Sequence, residues 1–461
     1  MGGVRFEPAG PLRGSLTPPP DKSISHRAAI VAAMAEGETV VRGYLDAADT
    51  RATLEAAKKL GAGVERLDSG AMGEKRQFRR RNPPDGGRMG LRIRGVGLRE
   101  PHPANIDVGN AGTLLRILPG WLAGQAGGEW TLDGDESIRN RPVDRIARPL
   151  REMGASIMCR DGRFPPLVVV GAPLHAIDYR LPVASAQVKS CVLLAGLLAA
   201  GETSVVEPQP TRNHTELMLR AAGAELTVED VGTPVTIHGE LPARRVRVAS
   251  AERVEPGELE IPGDFSSAAF FLVAAVIVPG SQVRLEGVGI NPTRIGLLGV
   301  LNRMGGAVEV IETAAAGPEP RATIVARHGP LEGTRVGGSE VPLTIDELPL
   351  VGLAGCFAEG ETIVSGAEEL RLKESDRIAT VVDGLRGIGA EIEATEDGFV
   401  VSGGGGLRGG TLDAARDHRL AMLGAVAGLA ASEGVEVRGF EAAAISYPGF
   451  HRDLMTLVNP G

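Results

Sequence analysis

The chain has 461 residues, a formal net charge of −9, 43% apolar residues and 3% aromatic residues. This length is enough for two or three domains with sizeable hydrophobic cores. The acidic balance argues against general binding to nucleic acid or to anionic membranes, and the few aromatic side chains argue against base-stacking surfaces for single strands. Local basic sites stay compatible with these numbers.

The cysteines predict the compartment. Cys159, Cys191 and Cys356 occur without a CxxC spacing, and an odd number is not a disulfide framework, so we expect a reducing, cytoplasmic location. The first residues lack the apolar core of a signal peptide. The longest apolar runs, such as "AAFFLVAAVIV", are too short to span a membrane.

One pattern recurs six times along the chain, starting at "DKSISHR", "GNAGT", "SAQVK", "GDFSS", "IDELP" and "DHRLAM". Each repeat has a polar, often cationic start, an apolar helix, a glycine, a β-branched strand and a second helix. The repeats are spaced by roughly 70–90 residues, longer than the period of common solenoids. The first helices are apolar nearly all round, as in residues 28–34, and must be buried on all sides. The second helices, such as "RATLEAAKKL", are amphipathic and are predicted to lie outside.

These six βαβαββ-like repeats predict an α/β fold in which two domains hold three repeats each. We expect one domain from residues 21–261 and a discontinuous second domain from residues 1–20 plus 262–461. The hinge candidates are "PPPD" and "LEIPGDF". If the three buried helices of a domain align, their polar N-terminal tips converge.

An arginine-rich stretch, "GEKRQFRRRNPPDGGRMGLRIRG", interrupts this pattern. We interpret it as a solvated loop followed by an exposed edge strand. The alternative, a nucleic-acid patch, lacks interleaved aromatic residues and sits in an acidic protein.

The predicted helix tips and adjacent loops carry most of the polar and charged residues of interest. They are Lys22, Ser23 and Arg27; Asn110, Gly112, Thr113 and Arg116; Ser185, Gln187 and Lys189; Asp264, Ser266 and Ser267; Asp346 and Glu347; Asp417, His418 and Arg419; and the loop residues Arg139, Arg141, Arg212, Lys373, Glu374 and Arg377.

Helix capping explains part of this set, since Ser, Asp and Asn satisfy the free N–H groups at helix starts. Capping does not explain the cations, which a helix N-terminus disfavours. We predict that the missing partners of Lys22 and Arg27 are anions of small substrates, phosphates and carboxylates. No GxxxxGK[ST] or strand–GxGxxG–helix pattern occurs, and His214 lacks an HExxH spacing, so nucleotide and metal sites are disfavoured.

The motifs together resemble the 5-enolpyruvylshikimate-3-phosphate synthase family. The similarity rests on "DKSISHR", "GNAGTLLR", "RNRP", "SAQVKS", "PGDFSSAAF", "IDELP", "LRLKESDRI" and "DHRLAM", in family order over almost the whole chain. The resemblance implies a two-domain inside-out α/β barrel that closes on its substrates. It implies transfer of the enolpyruvyl group of phosphoenolpyruvate to the 5-hydroxyl of shikimate-3-phosphate, in chorismate and aromatic amino acid biosynthesis. It implies no metal or organic cofactor, no nucleic acid or membrane partner, and a monomer.

The resemblance also implies roles for individual residues. Implied contacts of shikimate-3-phosphate are Lys22, Ser23, Arg27, Ser185, Ala186, Gln187, Arg212, Asp346 and Lys373. Implied contacts of phosphoenolpyruvate are Lys22, Asn110, Gly112, Arg141, Gln187, Glu374, Arg377 and Arg419. Asp346 is the implied acceptor of the 5-hydroxyl proton, and Glu374 is the implied proton donor to the methylene carbon, a task that Lys22 shares.

Two departures from one branch of the family stand out: "SAQVK" in place of Ser-Ser-Gln, and "AAISYPGF" without a lysine before its aromatic-Pro pair. Gly112 is the small residue associated with glyphosate sensitivity, so we expect inhibition by glyphosate. One alternative is the sister transferase that acts on UDP-N-acetylglucosamine, which uses a loop cysteine. Another is a non-catalytic anion-binding protein, which would not need Asp346 and Glu374.

Overall fold

The computed structural model describes residues 2–67, 88–231, 242–312 and 317–459. The chain forms two compact units. Unit A comprises Pro20–Ile261 and Ala316–Glu319, and unit B comprises Met1–Pro19, Pro262–Ala315 and Pro320–Gly461. The segment that ends at Glu319 belongs to unit A, although the expected boundaries placed it in the other domain.

Short strands account for much of the described chain. In chain order they are β1 (Gly3–Phe6), β2 (Arg13–Leu16), β3 (Glu38–Leu45), β4 (Gly63–Leu67), β5 (Arg88–Arg94), β6 (Ala104–Asp107), β7 (Glu129–Asp133), β8 (Ser156–Arg160), β9 (Phe164–Val170), β10 (Asp178–Arg180), β11 (Thr203–Glu207), β12 (Leu226–Val231), β13 (Ala243–Val248), β14 (Glu258–Glu260), β15 (Gln282–Gly289), β16 (Ala307–Glu312), β17 (Arg321–Arg327), β18 (Arg335–Val336), β19 (Glu361–Val364), β20 (Glu391–Ala394), β21 (Phe399–Ser402), β22 (Gly410–Asp413) and β23 (Val435–Arg438).

Helices alternate with these strands. They are α1 (Lys22–Met34), α2 (Ala48–Lys59), α3 (Gly112–Ala123), α4 (Glu136–Arg139), α5 (Asp144–Glu152), α6 (Ala186–Gly196), α7 (His214–Ala221), α8 (Phe265–Ile277), α9 (Gly296–Arg303), α10 (Glu340–Thr344), α11 (Leu348–Gly355), α12 (Arg377–Gly387), α13 (His418–Ala430) and α14 (Phe450–Val458), with 3-10 turns at Glu368–Leu372 and Phe440–Ile445.

The described residues of each unit form three small sheets, which share one strand arrangement except that the sheet β1-β23-β22 has three strands and the others have four. In unit A the strand orders are β14-β3-β5-β4, β6-β7-β9-β8 and β10-β11-β13-β12, and in unit B they are β16-β17-β15-β2, β18-β19-β21-β20 and β1-β23-β22. In every sheet one pair is parallel, as β6 is with β7, and the other pairs are antiparallel. A buried helix joins β6 to β7, as a parallel connection requires. The predicted α/β class with six βαβαββ-like repeats is confirmed.

The first helix of each repeat forms the core. Helices α1, α3 and α6 lie in the hydrophobic core of unit A, and α8, α11 and α13 lie in that of unit B. Every residue of α8 is buried. The outer helix α2 buries one face and exposes Lys58 and Lys59 on the other, so the predicted division into inner and outer helices is confirmed.

The arginine-rich stretch differs from the sequence-based expectation. Its loop, residues 68–87, lies outside the described residues. Its strand, β5, is not an edge strand, because it pairs with β3 on one side and β4 on the other. Met89, Leu91 and Ile93 alternate along β5 and are buried, whereas Arg92 forms an ion pair with Glu65 on β4. The many arginines obscured this apolar alternation in the sequence.

Within the described residues, none of the helices combines the length and the apolar character that crossing a membrane would need.

Gly120 allows α3 and α6 to approach closely in unit A. A Cβ atom at this position would overlap the carbonyl group of Cys191, at 2.8 Å from its carbon atom. The obstacle is helix backbone, which cannot rotate away as a flexible side chain can. Gly120 is therefore needed for the packing of two tip-bearing helices.

We expect Gly120→Ala to lower the free energy of unfolding by about 1–3 kcal/mol, because the methyl group forces the two helices apart. Urea unfolding followed by circular dichroism measures this loss.

The matched control is Gly299→Ala in α9, where a Cβ atom would meet nothing within 4 Å. This change should stabilise the protein by about 0.5–1 kcal/mol, since alanine is the better helix former. Equal effects of the two substitutions would contradict the close approach at Gly120.

Candidate active site

The tips of α1, α3 and α6 converge in unit A. Gln187 at the start of α6 accepts a hydrogen bond from Arg116 of α3 at 3.1 Å and donates one to Thr113 of α3 at 3.2 Å. Arg27 of α1 donates to the Ser190 hydroxyl of α6 at 3.1 Å. Side chains from three different repeats therefore bond to one another at one end of this unit.

Lys22 is the first residue of α1, where the helix dipole disfavours a cation. Its ammonium group lies 3.1 Å from the carboxylate of Asp49, a buried residue of α2. The expectation that substrate supplies the missing partner of Lys22 needs correction, because the protein supplies an anion itself. Sequence reasoning missed Asp49, whose only signal is its place in the first turn of a neighbouring helix.

Arg27 is a buried cation held by neutral oxygens. Its guanidinium donates to the hydroxyls of Thr215, at 2.8 Å, and Ser190, and to the carbonyl oxygen of Ser23 at 3.0 Å. Burial lowers the pKa of Arg27 to about 10, and the nearby Glu216 carboxylate opposes this shift. Arg27 therefore stays charged at neutral pH and attracts anions.

Arg141 lies beside the start of α3. It donates to the side-chain oxygen of Asn110 at 2.8 Å and to the Ser137 hydroxyl at 3.1 Å. A Cβ atom at Gly112 would come within 3.0 Å of the Arg141 guanidinium and 3.5 Å of that of Arg116. The predicted phosphoenolpyruvate contacts Asn110, Gly112 and Arg141 are thus brought together.

Ser185 and Ala186 begin α6, and Ser185 is its N-cap, accepting from the Val188 amide at 3.4 Å. Arg212 lies in the loop before α7, close enough to Arg27 for its charge to act on that residue's pKa. These predicted shikimate-3-phosphate contacts belong to the same end of unit A.

Two further cations of the predicted set, Lys189 and Arg139, are paired with carboxylates of the protein. Lys189 is completely buried between Glu216, at 2.6 Å, and Glu207, at 3.0 Å, so it is not an anion-binding tip residue. It lies on the side of α6 that faces Glu207 and Glu216 inside the unit. Arg139 is exposed and forms an ion pair with Asp133 at 2.6 Å.

In unit B, several charged side chains surround Asp346, which lies two residues before α11. The Lys373 ammonium and the guanidinium groups of Arg377 and Arg419 each lie 3.5 Å from an Asp346 carboxylate oxygen. Arg419 also donates to the backbone carbonyl of Asp346 at 3.0 Å. Asp346 therefore lies among three cations, and as a carboxylate it is a candidate proton acceptor.

Arg377 contacts three acidic residues of this cluster, Asp346, Glu374 and Asp417. It is the first residue of α12 and bonds to Asp417 at 2.7 Å and to Glu374 at 2.6 Å. Burial acts to lower the pKa of Arg377, but Glu374 and Asp417 outweigh burial and the pKa is raised. Asp417 also caps α13 through the Arg419 amide at 2.8 Å, so it orients two tips at once.

The remaining tip of unit B is structural. Asp264 caps α8 through the Ser266 amide at 2.8 Å and accepts from Arg294 at 3.0 Å, while the Ser266 hydroxyl donates to Glu347. The capping interpretation of Asp264 is confirmed.

His214, in unit A, bonds to Glu319 at 2.7 Å, and the described residues contain no group of three or more metal-binding side chains.

The repeats, each with one buried helix, give the chain the α/β architecture of the enolpyruvyl transferase fold. A solved enolpyruvyl transferase, NikO from Streptomyces tendae, matches with a TM-score of 0.74 and 17% identity over 99% of this chain and 98% of its own, which shows the fold.

The profile of the family described as EPSP synthase (3-phosphoshikimate 1-carboxyvinyltransferase) matches residues 6–454. Relatives named 3-phosphoshikimate 1-carboxyvinyltransferase include one from Synechococcus sp. (strain JA-3-3Ab), 44% identical over 99% of this chain and 97% of the relative, and one from Thermus thermophilus, 46% identical over 99% of both. A solved EPSP synthase from Acinetobacter baumannii has a TM-score of 0.82 and 39% identity, covering 99% of this chain and 98% of its own. The chain belongs to the EPSP synthase family.

His26, between Lys22 and Arg27 along α1, makes the stability of the protein depend on pH. It is fully buried, and its Nδ1 atom lies 2.6 Å from the Thr53 hydroxyl. Burial lowers its pKa from 6.5 to about 3, with Asp49 opposing and Lys22 and Arg27 adding to the shift. Below pH 6.5 the unfolded chain binds a proton that the folded chain excludes, so stability is lost as the pH falls.

We expect the wild-type protein to lose about 3 kcal/mol more unfolding free energy than His26→Gln between pH 7.5 and pH 4.5, because the variant cannot take up this proton. Urea unfolding at the two pH values measures the difference. His328→Gln, at an exposed histidine, is the control and should keep the wild-type pH dependence. Parallel pH profiles for wild type and His26→Gln would show that His26 is not held neutral.

Proposed function

We propose that this protein transfers the enolpyruvyl group of phosphoenolpyruvate to the 5-hydroxyl of shikimate-3-phosphate and releases phosphate. The observation that carries the proposal is the cluster of Asp346 and Glu374 around Arg377 in a member of this family. This cluster holds a proton acceptor and a proton donor among cations that suit anionic substrates. The product, 5-enolpyruvylshikimate-3-phosphate, leads to chorismate and the aromatic amino acids.

The cations of unit A are proposed to bind the phosphate and ring of shikimate-3-phosphate. Arg27 is buried and charged, and Arg212 lies near it, so the two can share one phosphate group. The other proposed contacts are Lys22, Ser23, Ser185, Ala186, Gln187, Asp346 and Lys373. Lys22 keeps a partly exposed side chain beside Asp49, which leaves its ammonium group within reach of a ligand.

Phosphoenolpyruvate carries a phosphate and a carboxylate, so it needs several cations. We propose Arg141, Arg377 and Arg419 for these charges, since planar guanidinium groups bind both anions through paired hydrogen bonds. Lys22, Asn110, Gly112, Gln187 and Glu374 complete the proposed set.

The proposed reaction begins with a proton from Glu374, shared with Lys22, to the methylene carbon of phosphoenolpyruvate. The neighbouring carbon becomes electrophilic, and the 5-hydroxyl oxygen attacks it while Asp346 accepts the hydroxyl proton. The methyl group then returns a proton to the Glu374 carboxylate, the carbon–oxygen bond to the phosphate group breaks, and phosphate leaves as the double bond is restored. Glu374 forms an ion pair with Arg377 at 2.6 Å, so it has to take up a proton from water before the proposed transfer.

Two of the three cysteines disfavour the alternative that acts on UDP-N-acetylglucosamine. Burial raises the pKa of Cys356 to about 12 and also raises that of Cys191, so neither is a reactive thiolate. We propose a cytoplasmic monomer that uses no cofactor, as the sequence predicts.

Phosphate release from phosphoenolpyruvate and shikimate-3-phosphate tests the function directly. We expect turnover by the wild-type protein and a loss of kcat of about 100- to 10,000-fold in Glu374→Gln and in Asp346→Asn, because each removes one proton-transfer group. Saturating steady-state kinetics with both substrates measures this loss.

Glu368→Gln is the matched control, at an exposed carboxylate in the turn that precedes Lys373, and should keep wild-type kcat. Wild-type rates in Glu374→Gln and Asp346→Asn would refute the acid–base roles. Binding of both substrates without turnover by the wild-type protein would favour the anion-binding alternative.

Gly112 gives a second test. We expect Gly112→Ala to raise KM for phosphoenolpyruvate about tenfold, the equivalent of about 1.4 kcal/mol, because the methyl group displaces Arg141. Glyphosate should inhibit the wild-type enzyme in competition with phosphoenolpyruvate and should inhibit the variant less.

Gly405→Ala, in an exposed loop where a Cβ atom would meet nothing within 4 Å, controls for the added methyl group and should leave both constants unchanged. An unchanged KM in Gly112→Ala would contradict a role for this position in phosphoenolpyruvate binding.

A further inference from the structure

A buried trio of charges lies behind the cationic site of unit A. Lys189 of α6 is completely buried, and its ammonium group lies 2.6 Å from Glu216 of α7 and 3.0 Å from Glu207 at the end of β11. Both carboxylates are also buried. Burial acts to lower the pKa of Lys189, but Glu216 and Glu207 outweigh burial and the pKa is raised. Lys189 is therefore a permanent cation between two anions.

The trio fixes the loop that carries Arg212. Glu207 accepts hydrogen bonds from the Thr211 amide at 3.1 Å and the Thr211 hydroxyl at 2.6 Å, and Lys189 donates to the Thr211 carbonyl at 3.4 Å. Every polar group of Thr211 is thus bonded to the trio. Arg212 follows directly, so its backbone starts from an immobilised residue.

The same trio is linked to Arg27. Ser190 follows Lys189 on α6, Thr215 precedes Glu216 on α7, and the two hydroxyls are 2.7 Å apart. Arg27 donates to both hydroxyls. The Lys189–Glu216 ion pair and this hydroxyl pair lie side by side and hold α6 against α7, so the position of Arg27 depends on both.

A third attachment lies on the far side of Arg212. The His214 ring bonds to Glu319 at 2.7 Å, and both residues are buried. The loop around Arg212 is therefore fixed at Thr211 and again at His214.

Stability alone is a weak reason for the trio. Burying three charges costs desolvation free energy, and well-packed apolar residues often serve stability equally well. A geometric role explains their presence better, since ion pairs fix distance and direction.

We propose that Lys189, Glu207 and Glu216 are positioning residues that hold Arg27 and Arg212 at the spacing that one phosphate group requires. This inference rests on the proposed function, in which that group is the 3-phosphate of shikimate-3-phosphate. Without the trio, Arg27 and Arg212 lose their common support and the phosphate loses paired contacts, while contacts to the shikimate ring stay.

The test compares the affinities for shikimate-3-phosphate and for shikimate in Lys189→Met, which keeps the length of the side chain and removes its charge. We expect the dissociation constant for shikimate-3-phosphate to rise about 10- to 100-fold and that for shikimate to change less than about threefold. Isothermal titration with each ligand measures both. KM for shikimate-3-phosphate should rise in parallel, with a smaller effect on kcat.

Lys189→Met alone leaves two buried carboxylates uncompensated and can fail to fold. The double variant Lys189→Met/Glu216→Gln keeps the net charge of the trio while it removes the ion pair, and the same selective loss is expected. Leu219→Ala is the control for general destabilisation, because Leu219 is a fully buried leucine of α7, the helix that carries Glu216. It should lower the melting temperature without changing the ratio of the two affinities.

The proposal would be overturned if Lys189→Met or the double variant folds and keeps the wild-type ratio of the two affinities. Equal weakening of both ligands would also overturn it, because a merely structural role predicts that result. Wild-type protein that binds shikimate-3-phosphate without turnover would refute the proposed function alone, and the affinity ratio would still decide the role of the trio. Wild-type protein that binds no shikimate-3-phosphate would refute both.

Discussion

Cations at the N-termini of buried helices need anions, because both the helix dipole and the loss of water disfavour them there. In unit A, Lys22 at the start of α1 is paired with Asp49. In unit B, Arg377 at the start of α12 is paired with Asp417 and Glu374. The Lys22–Asp49 pair joins α1 to α2, and the Arg377–Asp417 pair joins α12 to the N-cap of α13, so charge compensation and helix packing depend on the same contacts.

The repeated βαβαββ topology brings the N-terminal ends of the buried helices together within each unit. In four of the six sheets a buried helix joins the two strands of the parallel pair, and in the other two sheets the buried helices α1 and α8 precede β3 and β15. Every repeat therefore places one apolar helix in the core. Close packing of these helices requires small residues, and Gly120 against the Cys191 carbonyl is the clearest case. The polar residues in the first two turns of these helices then meet at one end of the unit, as the Arg116–Gln187 and Arg27–Ser190 bonds demonstrate.

Exposure separates the carboxylates of unit B by what they can do. The Asp417 side chain is completely buried and bonded to Arg377 and to the start of α13, so it serves as a fixed anion. Glu374 is 26% exposed and Asp346 is 10% exposed. Their side chains are more exposed than that of Asp417, which is why the proposed proton transfers are assigned to them and not to Asp417.

Much of the fold and many of the site residues could be predicted without a structure. The six apolar helices, the amphipathic outer helices and the helix-tip positions of Arg27, Asp346 and Arg419 follow from local periodicity and spacing. The sequence motifs also indicated the family. These features are local, because a helix pattern or a turn signal is complete within some twenty residues.

The partners of the charged residues were decided by tertiary structure alone. Lys22 and Asp49 lie 27 positions apart, and Arg377 and Asp417 lie 40 positions apart. Lys189 looked like another tip cation, yet it is completely buried and paired with Glu216 of α7. The sequence by itself determined which side chains carry charge and which helices are buried. Only the packing of separate repeats decided which charges compensate one another and which stay within reach of a ligand, because those distances depend on elements far apart in the chain.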